Sequence, residues 1–175
     1  MTSRPQHPAP TLFNRPYNHP CARTLLEDLH AEQLALYGFA DRYTDTPAAE
    51  FAPPHGTFVV AFLDSRAIAC GGCRRYDSHT AEIKRMYVVP HARGQGIGRI
   101  ILGRLEQHAI DTGATVMLLE TGRDNDSALA LYTAAGYTPI PPYTPGRNPV
   151  INRALHKQLA SPGDSTSHPA PATPR

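Results

Sequence analysis

Apolar and polar positions along this chain change period several times, and each change marks an element. Thr11 to Tyr17 is short, weakly patterned and read as a first strand. Pro20 suits the first position of a helix, where its missing N–H is not needed. Leu25, Leu26, Leu29, Gln33 and Leu36 continue at helical spacing, and Gly38 is a stop. Asp41 to Pro54 is irregular or briefly helical. Thr57–Leu63 and Ala67–Arg75 are β-prone runs around Asp64-Ser65-Arg66, which predicts a hairpin. Ala81 to Val89 is a further strand, ended by Pro90. Ile97 to Asp111 is a helix with Ile97, Ile101, Leu105 and Ala109 on one face. Thr115 to Glu120 is nearly all apolar, which suits a strand covered on both faces. Asn125 to Ala135 predicts a short helix, with Asn125 as N-cap and Gly136 as the left-handed residue past its end. Tyr137–Ile140 and Val150–His156 finish as strands around the Pro-rich loop Pro141–Pro149.

The order β-α-β-β-β-α-β-α-β-β predicts a single α/β domain with a mixed (α+β) sheet. Its middle unit, Ala81 to Glu120, has the length of a right-handed parallel crossover. Strand periodicity fails once. Ile83 to Met86 is a step of three where two is expected, the signature of a β-bulge.

Composition sharpens the boundaries. The chain has 175 residues and 18 Pro, several of them crowded into its two ends. Ala160–Arg175 contains no Leu, Ile, Val or Phe, so it cannot offset its ordering entropy and is read as a disordered tail. Residues 1–10 are read the same way, leaving a body from Thr11 to Leu159. A body of that size buries roughly 70% of its unfolded surface and needs no staples. The longest apolar run, Phe58–Leu63, is too short to span a membrane. The polar N-terminus and three Cys suggest a cytoplasmic chain with reduced thiols. A net charge of +2 argues against a nucleic-acid partner.

That near-neutral charge is not evenly spread. Lys84, Arg85, Arg93, Arg99 and Arg104 lie in a window with no Asp or Glu, where even spacing would place about two basic residues. Inside it, Val89-Pro90-His91-Ala92-Arg93-Gly94-Gln95-Gly96-Ile97-Gly98 runs from a strand end through a Gly-rich loop into a helix start. Such a loop lets backbone approach a ligand closely, and free N–H groups at the helix start face anions. The chain has no Gly-Lys dipeptide, so the P-loop pattern fails, and Arg99 or Ile101 falls where a dinucleotide fingerprint needs its third glycine.

Arg93-x-x-Gly96-x-Gly98, after a strand and opening a helix, resembles the signature of the GNAT superfamily of acetyl-CoA-dependent N-acetyltransferases. Asn125, Ala128, Leu131-Tyr132 and Gly136-Tyr137 resemble its second signature, and the likeness extends over roughly Thr11–Leu159. The resemblance implies an acyl-CoA N-acyltransferase fold, in which a bulge splays a parallel strand pair within a central mixed sheet flanked by helices. It implies acetyl-CoA as co-substrate and no metal, with Arg93, Gly94, Gln95, Gly96, Ile97 and Gly98 around the pyrophosphate. Met86, Tyr87 and Val88 would offer a free strand edge to pantetheine, Val88 N–H would reach the thioester carbonyl, and Asn125 would complete the cofactor site.

Direct transfer within a ternary complex needs a deprotonated amine, a polarised carbonyl and a protonated leaving thiolate. Tyr132 is the expected acid by resemblance, although aromatics at helical spacing also serve as core. Glu82 is the expected base; Glu120 and a water chain stay open. A non-catalytic acyl-CoA-binding module of the same fold is the alternative function. The acceptor, a small-molecule or peptide amine, depends on the loops Asp41–Gly56 and Pro141–Pro149, and the chain could be a monomer or a homodimer. Tyr143 is a candidate pocket wall. Cys70-Gly71-Gly72-Cys73 has metal-like spacing, but its glycines more naturally mark a bulge or close backbone contact. His55 and His91 are read as plain loop residues.

Overall fold

Pro20 opens the first helix, α1 (Pro20–Tyr37), and the His19 ring accepts a hydrogen bond from Cys21 N–H at its start. Gly38, at φ +74°, closes it by donating its N–H to Leu34 O. These details come from a computed structural model that describes residues 9–159. The expected disordered ends therefore lie almost wholly outside the described residues.

Seven strands form one sheet in the order β1-β2-β3-β4-β5-β7-β6: β1 (Thr11–Asn14), β2 (Gly56–Leu63), β3 (Arg66–Arg75), β4 (Thr80–Val88), β5 (Val116–Gly122), β6 (Thr138–Ile140) and β7 (Asn152–Gln158). Only β4 and β5 pair in parallel, and α2 (Ile97–Asp111) is their crossover. The mixed-sheet fold expected from the element order is the one observed. A third helix, α3 (Asp126–Ala134), follows β5. Among the described residues no helix is long and apolar enough to cross a membrane.

The local signals are realised. Asp64 and Ser65 both take positive φ, the tight turn that matches the twist of a hairpin. Ile97, Ile101, Leu105 and Ala109 are buried on α2. The Asn125 side chain caps α3 by accepting from Ala128 N–H, and Gly136 takes φ +90° after it. Gly71 and Gly72 serve close packing on opposite faces of β3. A Cβ on Gly71 would lie 2.8 Å from Ile101, and one on Gly72 would lie 2.6 Å from the Phe51 ring.

Some details differ from expectation. β1 stops at Asn14, although Arg15 N–H still donates to Phe58 O, and Tyr17 instead enters the core and donates its hydroxyl to Tyr43 O. β7 starts at Asn152 rather than Val150. Leu36 is exposed; in the last turns of α1 it is Gln33 and Tyr37, in line with Leu29, that face inward.

Candidate functional site

The predicted bulge decides the shape of the site. Gly72 pairs with Lys84 and Cys70 with Tyr87, so two residues of β4 oppose Gly71 alone, and Arg85 takes φ +60° to absorb the extra residue. Parallel pairing of β4 with β5 covers only Thr80–Ile83 against Val116–Leu119. Beyond that point β5 continues along β7, while the far edge of β4 has no strand beside it. Val89 donates to Ile68 O on β3, so strand alternation turns Val88 toward the open edge. Arg93 Nε meets Val88 O there at 2.8 Å.

A cavity of about 370 Å³ fills the splay. Its walls come from α1 (Leu29, Tyr37), β4 (Lys84, Arg85, Met86), the end of β5 (Glu120), α3 (Tyr132) and both loops expected to shape the acceptor site, through Asp41 and Arg147. An Arg147–Asp41 ion pair ties those loops together.

Tyr132 is buried on α3, and its hydroxyl points at the Met86 thioether, 3.5 Å away. Burial pushes its phenol far up, so the proton stays on oxygen at neutral pH. The Tyr137 ring packs edge-on against it at 5.6 Å and is fixed by a hydrogen bond to Glu106. Asn125 also lines the cavity, with its amide oxygen committed to the α3 cap.

The Gly-rich loop presents Gly94 at φ +74° and Gly96 at φ +80°, conformations that disfavour any side chain. Gly96 starts α2 without a side-chain cap, which leaves the first-turn N–H groups open to an anion. Gly98 is where α2 meets α3, since a Cβ there would lie 3.2 Å from Leu131. Arg93 does not reach outward. Its guanidinium bonds Glu32 on α1 at 2.6 Å and lies over the Tyr87 ring. Gln95 and His91 are exposed, and Ile97 is core.

The five basic residues of the window do not form one patch. Lys84 pairs with Glu82, Arg85 turns into the cavity, Arg93 pins α1, and Arg104 meets Asn14. Arg99 is exposed on the first turn of α2 and has no ion-pair or side-chain hydrogen-bond partner among the described residues. Alternation along β4 and the helical turn of α2 send neighbouring charges in different directions.

Glu82 is wholly buried and saturated. Arg74 Nε donates to it at 2.7 Å, Lys84 Nζ lies at 2.9 Å, and the Tyr143 hydroxyl donates at 2.8 Å. Burial alone would raise its pKa, but Lys84, Arg74 and Tyr143 together outweigh it and leave the carboxyl below its usual range. Tyr143, expected as a pocket wall, is thus a ligand of Glu82. Glu120 is the contrasting carboxylate. Its side chain is 8% exposed and lines the cavity; Arg147 stands 3.9 Å from Oε2, and Oε1 has no hydrogen-bond partner.

Sequence reasoning missed Arg85 and Tyr37 as site residues. Arg85 was signalled by the three-residue step at Ile83–Met86, which marks where a side chain is re-aimed. Tyr37 was signalled by its eight-residue spacing from Leu29. Among the described residues no group of three His, Cys, Asp or Glu side chains could hold a metal ion. Cys70 and Cys73 are free and buried, and burial pushes the Cys73 thiol up to about 12.

A strand bulge, a splayed parallel pair and a glycine loop opening the crossover helix are the arrangement that the two sequence signatures implied. A model of the acetyltransferase (GNAT) family matches residues 21–137. The chain belongs to this family. An IAA acetyltransferase of Azospirillum brasilense is 38% identical over 98 residues, which cover 54% of this chain and 64% of that relative. The match therefore spans under two thirds of the relative's own length. A Klebsiella pneumoniae protein named for acyl-CoA N-acyl transfer has the same fold, with 25% identity and a TM-score of 0.74 over 86% of this chain and 98% of that one. A GNAT-family acetyltransferase of Elizabethkingia anophelis, solved with acetyl-CoA bound, superposes with a TM-score of 0.59 at 20% identity over 86% of this chain and 98% of that one. The family match takes in both signatures and the whole splay, and stops before the loop that carries Tyr143 and Arg147.

Proposed function

We propose that this GNAT chain transfers an acetyl group from acetyl-CoA directly to a primary amine in a ternary complex. The observation that carries the reading is the single cavity at the β4–β5 splay, which joins a protonated buried phenol, a carboxylate with an unused oxygen and a free strand edge. The residues suit the co-substrate. Gly94 and Gly96 leave open space around the loop, the first turn of α2 is uncapped, and Arg99 adds positive charge. Met86, Tyr87 and Val88 supply the edge for pantetheine, and the Val88 N–H supplies a donor to the thioester carbonyl.

In this scheme the Glu120 carboxylate takes the proton from the entering ammonium, and Tyr132 donates its own proton to the leaving thiolate. The base role passes to Glu120 because Glu82 has no cavity-facing surface and its lone pairs are engaged by four donor groups. The catalytic unit is the body 11–159.

Thiol release from acetyl-CoA, followed across an amine panel, tests the reading. Tyr132→Phe and Glu120→Gln should each lower kcat by about 10²-fold or more. Acetyl-CoA binding without thiol release from any amine would instead mark a non-catalytic module. An unchanged kcat in Tyr132→Phe would remove the phenol from the mechanism.

A further inference from the structure

Three buried side-chain polar atoms among the described residues have no hydrogen-bond partner: Tyr37 Oη, Arg85 Nε and Glu120 Oε1. All three residues line the same cavity. Buried polar groups in native proteins are overwhelmingly satisfied, so three orphans converging on one space mark the place of a polar ligand. Their chemistry describes that ligand. Glu120 Oε1 can only accept while ionised, Arg85 Nε can only donate, and the Tyr37 hydroxyl can do either.

Arg85 stands apart from the other cations of the cavity. Arg74 pairs with Glu50 and Glu82, Lys84 with Glu82, and Arg147 with Asp41. Arg85 has no carboxylate partner among the described residues. Neutral groups alone hold its fork: Arg42 O at 3.2 Å, and Asp41 O and Thr46 Oγ1 each at 3.5 Å. Its backbone sits at φ +60°, a conformation that disfavours any side chain, so the bulge aims this guanidinium into the splay at an energetic disadvantage. Arg85 is half-buried with its Nε shielded from solvent, and a partly desolvated cation without a counter-ion is unfavourable until an anion arrives.

We infer that the acceptor is a small zwitterion, an amine that also carries a carboxylate, with Arg85 as the specificity residue that receives the carboxylate. The inference rests on the acetyltransferase reading and narrows its acceptor. The ammonium donates to Glu120 Oε1 while the carboxylate accepts from Arg85 Nε, which satisfies two of the three orphans with one molecule of opposite polarity at its two ends. A space of about 370 Å³ suits an acceptor of amino-acid size beside the acetyl thioester. A polyamine or aminoglycoside would bring further positive charge against Arg85, and an internal peptide unit would offer it no anion.

The step balances in atoms and charge. The thioester C–S bond breaks and an amide C–N bond forms. Of the two protons lost by the ammonium, one ends on the coenzyme thiol and one is released to solvent. No electrons are exchanged.

The test compares free L-amino acids with their carboxamides, which differ only at the carboxylate, in a thiol-release assay at saturating acetyl-CoA. Aminoalkyl phosphates and spermidine form two further arms. The free acids should show kcat/KM at least about tenfold above their amides. Arg85→Gln should erase that ratio by raising KM for the acids; Arg85→Lys should restore only part of it, because it lacks the planar fork. The acid-to-amide ratio of the wild type is read without any variant, so a folding defect in Arg85→Gln leaves the inference testable. Amides or spermidine matching the acids would overturn the inference, as would an acid-to-amide ratio unchanged in a folded Arg85→Gln. Preference for the aminoalkyl phosphates would overturn the carboxylate in favour of a phosphate. Acetyl-CoA binding with no thiol release from any amine would overturn the acetyltransferase reading itself, a result distinct from all of these.

Discussion

Replacing Glu82 with Gln separates an anchor from a base. Gln keeps the shape but removes the charge, and it offers one oxygen where the carboxylate offered two. The least unfavourable orientation points the amide oxygen at Lys84 and Tyr143 and the amide nitrogen at Arg74, because Arg74 retains Glu50. The expected loss is then about 2–4 kcal/mol, between one charge-assisted hydrogen bond and full rupture of a buried pair. For a domain near 150 residues that is a fall in Tm of about 4–16 °C. The measurements are a urea melt and a thermal scan of E82Q, paired with a pH–rate profile taken well below its Tm. A structural anchor predicts lost stability, a kcat within about tenfold of wild type and an unshifted profile. A kcat lowered by 10²-fold or more with stability intact would refute the anchor argument and make Glu82 the base after all.

Acid should act through the same group. The folded-state pKa of Glu82 is lowered, so its stabilising contribution is complete above the unfolded value of about 4.3 and is lost as pH falls through the lower folded value. Urea melts should therefore weaken below about pH 4.5 more steeply in wild type than in E82Q. Gly72→Ala forces a methyl group to within 2.6 Å of the Phe51 ring, and chemical denaturation should show a loss of about 1–3 kcal/mol. Arg93→Met releases Val88 O and Glu32 together. Since the exposed Arg93–Glu32 pair adds little to stability, Tm should hardly move, whereas steady-state kinetics should show KM for acetyl-CoA raised about tenfold.

Much of the fold was legible because its signals are local. The α2 stripe, the Asn125 cap, the Asp64-Ser65 turn and the Ile83–Met86 bulge each depend on residues within one or two turns of chain. The glycine loop was legible for the same reason. What failed to show was every pairing across distance. Glu82 reads in the sequence as a candidate base, since nothing in its neighbourhood announces Arg74 from β3 or Tyr143 from a loop 61 residues away. A linear count of the basic window cannot see alternation send Lys84 and Arg85 to different partners.

By itself the sequence determined the element order, the bulge and the glycine loop, because backbone conformation answers to side chains a few positions away. Only the tertiary structure decided which carboxylate is neutralised and which stays open. Burial and the sign of the nearest charge depend on strands and loops far apart in the chain. At this site they gave Glu82 its donors and left Glu120, Arg85 and Tyr37 facing one cavity with hydrogen bonds unmade.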